Sequence, residues 1–197
     1  MVPIYLVDDD IAFADSLLFV LDSYGLKATH FDNAPSFIEN CDLTQAGVAI
    51  LDSRMPKMTG EQLHQHLVDA HSPLGTIFLT GHGDLPMAVQ AFRAGASDFF
   101  QKPVDAEALV AAIEKASELS LKRHQTSERL GLLSALSERE LQILQLIGQG
   151  LKNKQISDAL FLSTRTVEVH RAKLMKKLGA ENMAELVEFA LIHQSTK

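Results

Sequence analysis

The chain has 197 residues, 46% of them hydrophobic and 22% charged, and a net charge of −7. That length suits one or two domains with ordinary cores, and the composition excludes a disordered chain. One cysteine, Cys41, excludes an intramolecular disulfide and a cysteine-cluster metal site; apolar runs of four or five residues, such as Val48–Leu51, are too short to span a membrane, and an N-terminus with three aspartates by residue 10 is no secretory signal.

The first 103 residues alternate short apolar runs with helical patterns. The runs are Ile4–Val7, a weak one at Lys27–His30, then Val48–Leu51, Thr76–Leu79 and Asp98–Phe100. Phe13, Leu17, Val20, Leu21 and Tyr24 form a stripe with a spacing near 3.6, closed by Gly25. Leu109, Ala112, Ile113, Ala116 and Leu119 form another, opened by Asp105 as N-cap. Continuous apolar strands alternating with helices predict a parallel sheet covered on both faces.

Beyond Ile113 the pattern stays helical but turns polar through Ser117–Arg129, as expected of a helix running into a linker. Ser137 and Glu140 then form a capping box ahead of Leu141, Leu144 and Ile147, and Gly148 and Gly150 end that helix. Three more short helices are expected at Lys154–Leu160, Thr164–Leu178 and Met183–His193, with no strand after residue 103. The division is 1–116, a helical linker 117–133, and 134–197. Charge divides the chain too: Met1–Leu133 holds nine Lys and Arg against 18 Asp and Glu, and Ser134–Lys197 holds nine against seven. An acidic front and a locally basic back point to two modules with different partners.

The strand ends carry the chemistry. Asp8, Asp9 and Asp10 follow the first run, Asp52 the third and Thr80 the fourth, and Lys102 lies two residues past the fifth. In an open parallel sheet these ends converge on the crevice where ligands bind. Asp10 alone reads as a turn residue or helix cap. Clustered carboxylates repel one another unless a divalent cation neutralises them, and oxygen-only ligands point to Mg²⁺ (or Mn²⁺). A hydroxyl and an ammonium aimed at the same spot suit phosphoryl oxygens, and a carboxylate can be the nucleophile that accepts the phosphoryl group.

In the second module, Ser163–Leu178 holds Arg165, Arg171, Lys173, Lys176 and Lys177 against the single acid Glu168. On a helical wheel Val167, Leu174 and Leu178 share a core stripe, while Arg165, Val169, Ala172, Lys173 and Lys176 lie opposite. One buried face and one cationic face suit a DNA major groove. Val169 fits a thymine methyl, Lys173 and Lys176 fit phosphates, and Arg165 a phosphate or a guanine edge. Glu168 at the edge of this face fits cytosine N4 or plain solvent, and His170 falls nearer the core.

The set Asp8-Asp9, Asp52, Thr80 and Lys102-Pro103 resembles the receiver domain of bacterial two-component response regulators. Asp52–Gly60, Thr80–Asp84 and Ala94–Phe99 narrow the resemblance to the FixJ-like branch. Leu136–Glu140, Gly150–Ile156, Ser163–Arg171 and Lys177–Gly179 resemble the four-helix DNA-binding domain of the LuxR/NarL class. The resemblance implies a five-stranded, flavodoxin-like α/β receiver in which Asp52 takes a phosphoryl group from a sensor histidine kinase. It implies a metal held by Asp9, Asp52 and the Arg54 carbonyl, with Asp8 acting mainly through water, and Thr80 and Lys102 on the phosphoryl oxygens. Phe99 would be the switching aromatic, a residue without the hydroxyl of a tyrosine. The residues expected to face DNA are Lys154, Arg165, Glu168, Val169, Arg171, Ala172, Lys173 and Lys176. A bacterial cytoplasmic transcription regulator follows, a homodimer once phosphorylated through the surface around Pro86–Ala94, with RNA polymerase a candidate further partner and no membrane contact. The rivals are a regulator that works without phosphorylation and an aspartyl-phosphate phosphohydrolase; the latter carries its nucleophile in an Asp-x-Asp motif after the first strand, whereas Asp52 lies on the third.

Overall fold

A computed structural model describes residues 2–81, 89 and 92–195. It divides into two compact units, 1–124 and 125–197. In the first, β1 (Ile4–Val7), β2 (Ala28–Phe31), β3 (Val48–Asp52), β4 (Gly75–Thr80) and β5 (Asp98–Gln101) form one sheet. All its pairings are parallel and the strand order is β2-β1-β3-β4-β5. This order puts the switch point between β1 and β3, where ligands collect in doubly wound sheets.

The pleat explains why the inner strands read as unbroken apolar runs. Side chains alternate faces, and both faces are covered. Ile4, Leu6, Val48, Ile50, Ile77 and Leu79 pack with Ala14, Leu17 and Leu21 of α1 (Ile11–Ser23) and with Leu109, Ile113 and Ala116 of α4 (Ala106–Ser134). Val7, Ala49, Leu51 and Phe78 pack on the other face with Phe37 of α2 (Ala34–Asn40) and Leu63 and Leu67 of α3 (Gly60–Asp69). Asp10 caps α1, its carboxylate accepting the Phe13 N–H, and Asp105 accepts the Ala108 N–H at the start of α4. Gly60 is needed where α3 starts: a Cβ there would stand 2.3 Å from the Asp52 carbonyl oxygen.

The stretch 117–133 is helical throughout, within α4. Its first part belongs to the receiver unit: Ser120 is buried and its hydroxyl accepts the Gly47 N–H. Its last part belongs to the second unit, where Leu133 is buried and Leu130 packs beside it. That unit is all helical: α5 (Glu138–Gly148), α6 (Asn153–Leu160), α7 (Thr164–Leu178) and α8 (Met183–Ser195). Ile143, Leu144, Ile147, Ile156, Val167, Leu174, Leu178, Leu186, Phe189 and Ala190 make its core. The capping box of α5 forms in full, with Ser137 and Glu140 each accepting the other's backbone N–H.

Of the surface expected around Pro86–Ala94, residues 86–88, 90 and 91 lie outside the described residues, as do His82, Gly83 and Asp84 of the Thr80–Asp84 motif. Val89, Phe92 and Arg93 are helical and exposed. Among the described residues no helix is long and apolar enough to cross a membrane.

Candidate functional site

The parallel sheet brings the acids of two strand ends together. Carboxylate oxygens of Asp8, Asp9 and Asp52 lie within 4.8 Å of one another; Asp8 and Asp52 are buried and Asp9 is exposed. Lys102, immediately beyond β5, sends its ammonium between the two buried acids, 2.6 Å from Asp8 Oδ2 and 2.7 Å from Asp52 Oδ1. The Arg54 N–H donates to the other Asp52 oxygen at 2.7 Å. Thr80 ends β4 and is buried, and its backbone carbonyl accepts the Lys102 N–H at 2.7 Å. The Lys102–Pro103 peptide is cis. Asp8, Asp9, Asp52, Thr80 and Lys102 thus come together, although the first and last are 94 residues apart.

The electrostatics of the pocket follow from burial. Desolvation pushes the Asp8 carboxyl above the usual range, and its bonds with Lys102 and the Asp10 N–H only partly offset this. Burial works against the Lys102 ammonium too. There, the hydrogen bonds to Asp52 and Asp8, with their charges, outweigh it and hold the amine above an ordinary lysine. Three carboxylates facing one ammonium leave an excess of negative charge on an all-oxygen donor set. That is the chemistry of a hard divalent cation, and the residues fit Mg²⁺. The Arg54 carbonyl belongs to the same short turn after β3. Phe99 lies in β5, half-buried against the core on the Phe78 face.

The second cluster lies on α7. Its core stripe is as expected: Val167, Leu174 and Leu178 are buried. Ser163 caps the helix by accepting the Thr166 N–H, and Gly179 closes it in the left-handed conformation. Arg165, Glu168, Val169, Ala172, Lys173 and Lys176 are all exposed, as is Lys154 on α6. Arg165 and Glu168 pair with each other at 3.3 Å. Arg171 is engaged inside the domain: its guanidinium donates to the Asn153 side chain and to Met183 Sδ, tying the starts of α6 and α8 to α7. Lys177 is spent internally as well, 2.8 Å from the buried Glu140 carboxylate. That bond and the Ser137 N–H hold the Glu140 carboxyl down at about 2. His170 is half-buried. On α8, Leu186, Phe189 and Ala190 turn into the domain's own core and Leu191 is exposed.

Two of the contacts that sequence reasoning missed bear directly on the two clusters. Arg171 shows no sign of its bonds in the local pattern, although its position on the wheel, nearer Val167 than the outer face, is a signal. Phe13 reads as one member of a core stripe, yet its ring lies under the Lys102 ammonium, 4.1 Å from nitrogen to centroid.

Comparison with known proteins follows the same division. The family model described as the response regulator receiver domain matches residues 4–114, and that of bacterial regulatory proteins of the luxR family matches residues 134–190. The tetrathionate response regulatory protein TtrR of Salmonella typhimurium is 40% identical over 187 residues, covering 95% of this chain and 91% of that protein. The transcriptional regulatory protein FixJ of Azorhizobium caulinodans is 38% identical, covering 96% and 92%. Among solved structures, the response regulator StyR superposes with a TM-score of 0.72 at 39% identity, covering 95% of this chain and 96% of that one. Full-length FixJ from B. japonicum gives 0.55 at 36% identity, covering 98% and 97%.

Proposed function

This chain belongs to the FixJ-type response regulators, the transcription regulators of two-component systems, and on that premise we propose that Asp52 accepts a phosphoryl group from a sensor histidine kinase. The observation that carries this reading is the Lys102 ammonium seated between Asp8 and Asp52 at the ends of β1 and β3. An Asp52 carboxylate oxygen bonds to phosphorus as the phosphorus–nitrogen bond breaks, and that bond's electron pair stays on the kinase imidazole. Lys102 follows the growing charge onto a phosphoryl oxygen, and the Thr80 hydroxyl donates to another. Asp8, Asp9, Asp52 and the Arg54 carbonyl would hold Mg²⁺ (or Mn²⁺), which supplies charge neutralisation at carboxylate and phosphoryl oxygens alike. The chain assists its own phosphorylation and dephosphorylation and acts on no separate substrate.

Phosphorylation draws Thr80 inwards, Phe99 turns into the space beside it, and the altered surface pairs two receivers. The exposed Val89 and Phe92 supply apolar area for that pairing. Two copies then present two α7 helices to half-sites on promoter DNA in the bacterial cytoplasm. Arg165, Glu168, Val169, Ala172, Lys173 and Lys176 face the groove, with Lys154 on the backbone. Arg171 acts by holding α7 in place.

Acetyl phosphate and Mg²⁺ should add one phosphate to the full chain, seen by intact mass and removed by hydroxylamine. Asp52→Ala should take none; a modification that survives this change would end the reading. Light scattering with beryllofluoride should show a dimer, and a protein that stays monomeric on and off DNA removes the dimer step alone.

A further inference from the structure

We infer that Phe13 is a positioning residue for phosphoryl transfer, an aromatic plate that fixes the Lys102 ammonium inside the pocket. This rests on Asp52 being the phosphoryl acceptor. The Lys102 nitrogen lies 4.1 Å from the centroid of the Phe13 ring, well inside the reach of a cation–π contact. The same nitrogen bonds Asp8 and Asp52, so the ring and two carboxylates hold it together.

The backbone closes the arrangement into a loop. Asp8 Oδ1 accepts the Asp10 N–H at 3.0 Å, and Asp10 Oδ1 accepts the Phe13 N–H at 3.0 Å. The Phe13 ring then meets the ammonium that returns to Asp8. The loop therefore sets the height of the ring over the pocket from the pocket's own acids. Phe13 is half-buried and packs against the core under α1, which keeps the ring from turning away.

A lysine is a flexible chain ending in a hydrated point charge, and holding it costs entropy. In the resting pocket the two carboxylates share that task. When Asp52 takes the phosphoryl group, its oxygen leaves the Lys102 pair and the ammonium must travel to a phosphoryl oxygen. During that step the ring is a constraint that does not depend on Asp52. It keeps the ammonium on the pocket side and water off its opposite side. An aliphatic residue of similar size fills the space but has no negative face to offer.

The test is the rate at which the full chain takes a phosphoryl group from acetyl phosphate, the donor's phosphorus–oxygen bond breaking with acetate as leaving group. Wild type, Phe13→Leu and Phe13→Tyr are followed by intact mass at several donor concentrations. Phe13→Leu should lower the maximal rate about three- to tenfold, the factor a half-desolvated cation–π contact is worth, with donor half-saturation and Mg²⁺ affinity unchanged. Phe13→Tyr should restore the rate. Melting curves report whether each variant is folded, and Phe13→Met replaces Phe13→Leu if the latter is not. A Phe13→Leu rate equal to wild type overturns the inference. So does an equal loss with Phe13→Tyr, which would mean that the shape of the ring edge matters and its face does not. A wild type that takes no phosphate, or an Asp52→Ala variant that does, sinks the phosphoacceptor reading instead, and the role of the ring with it.

Discussion

The pocket and the α7 helix both concentrate charge, and they hold it in opposite ways. In the pocket the Lys102 side chain is 17% exposed and pinned between two acids. On α7 the Arg165 side chain is 84% exposed and pairs only with the exposed Glu168 one turn on, and none of the ion pairs among the described residues includes Lys173 or Lys176. Buried charge survives only when paired, so a pocket of this kind has to be assembled from distant segments. Exposed charge needs no partner and stays available for one, which suits a surface meant for phosphates.

The largest effect should come from leaving the pocket's acids without their cation. Lys102→Ala puts Asp8 and Asp52 side by side with no ammonium between them. It should cost the receiver unit about 2–3 kcal/mol in metal-free buffer, below the full cost for a wholly buried pair because Lys102 is partly solvated. Millimolar Mg²⁺ should recover much of that loss, since the same oxygens then have a cation again. Thermal melts with and without Mg²⁺ decide it; an unchanged midpoint would mean that the pocket is not strained by its acids.

The opposite end of the contrast is read in salt. Lys173→Ala and Lys176→Ala should each lower the slope of log affinity against log salt by about one, with little change in melting. Arg171→Ala should leave the slope alone and cost about 1–2 kcal/mol of stability, because its guanidinium is bonded to Asn153 and Met183. A drop in slope for Arg171→Ala would return it to the groove.

How much of this was legible in the sequence depends on range. The apolar runs gave β1, β3, β4 and β5, the weak run at Lys27–His30 gave β2 one residue early, and the caps Asp10, Asp105 and Ser137 gave the starts of α1, α4 and α5, because strand pattern and capping are encoded within a few residues. The helices α2 and α3 showed no named stripe; Asn33 and Thr59 cap them, signals that stand out only once the frame is known. The pocket residues were legible because each lies at or just beyond the end of a strand, and the topology does the rest. The Phe13 ring over Lys102 and the Lys177 bond to Glu140 join elements far apart in sequence, and no local pattern marks them.

Acid should separate the two units as well. In the receiver, His64 is buried against Phe78, its Nε2 facing the Ala94 carbonyl and its Nδ1 the Thr76 hydroxyl. Burial lowers its pKa below the ordinary 6.5, with the Arg123 charge adding to this and the Ala94 bond opposing it. Its folded state resists a proton that the unfolded chain accepts, so stability is intact above 6.5 and falls as the pH drops below it. Glu140 in the DNA-binding unit is an acid with a depressed pKa, about 2 against 4.5. Its contribution is intact above 4.5 and is lost as the pH falls towards 2. It is worth about 1–2 kcal/mol, discounted because the Lys177 side chain is 46% exposed. Amide exchange at stepped pH should show the receiver weakening first, below 6.5, and the second unit only below 4.5. Glu140→Gln should remove the second step; its persistence would assign that step elsewhere.

The smallest effect tests strain within the second unit alone. Two of its helices end in the left-handed conformation: α7 at Gly179, with φ of 64°, and α6 at Phe161, with φ of 53°. Glycine takes that conformation without penalty, whereas a Cβ crowds the neighbouring carbonyl and costs about 1–2 kcal/mol. A buried phenylalanine could offset the cost by packing, but Phe161 is 95% exposed and has no such return. Phe161→Gly should therefore stabilise this unit. The greater freedom of glycine in the unfolded chain takes back part of the relief, leaving a gain of about 0.5–1 kcal/mol. Phe161→Ala serves as control, since it keeps the Cβ and its strain and should gain nothing. If the alanine variant gains as much as the glycine variant, the large exposed ring is at fault and not the backbone. If both lose stability, Phe161 makes a contact in solution that supports the turn between α6 and α7.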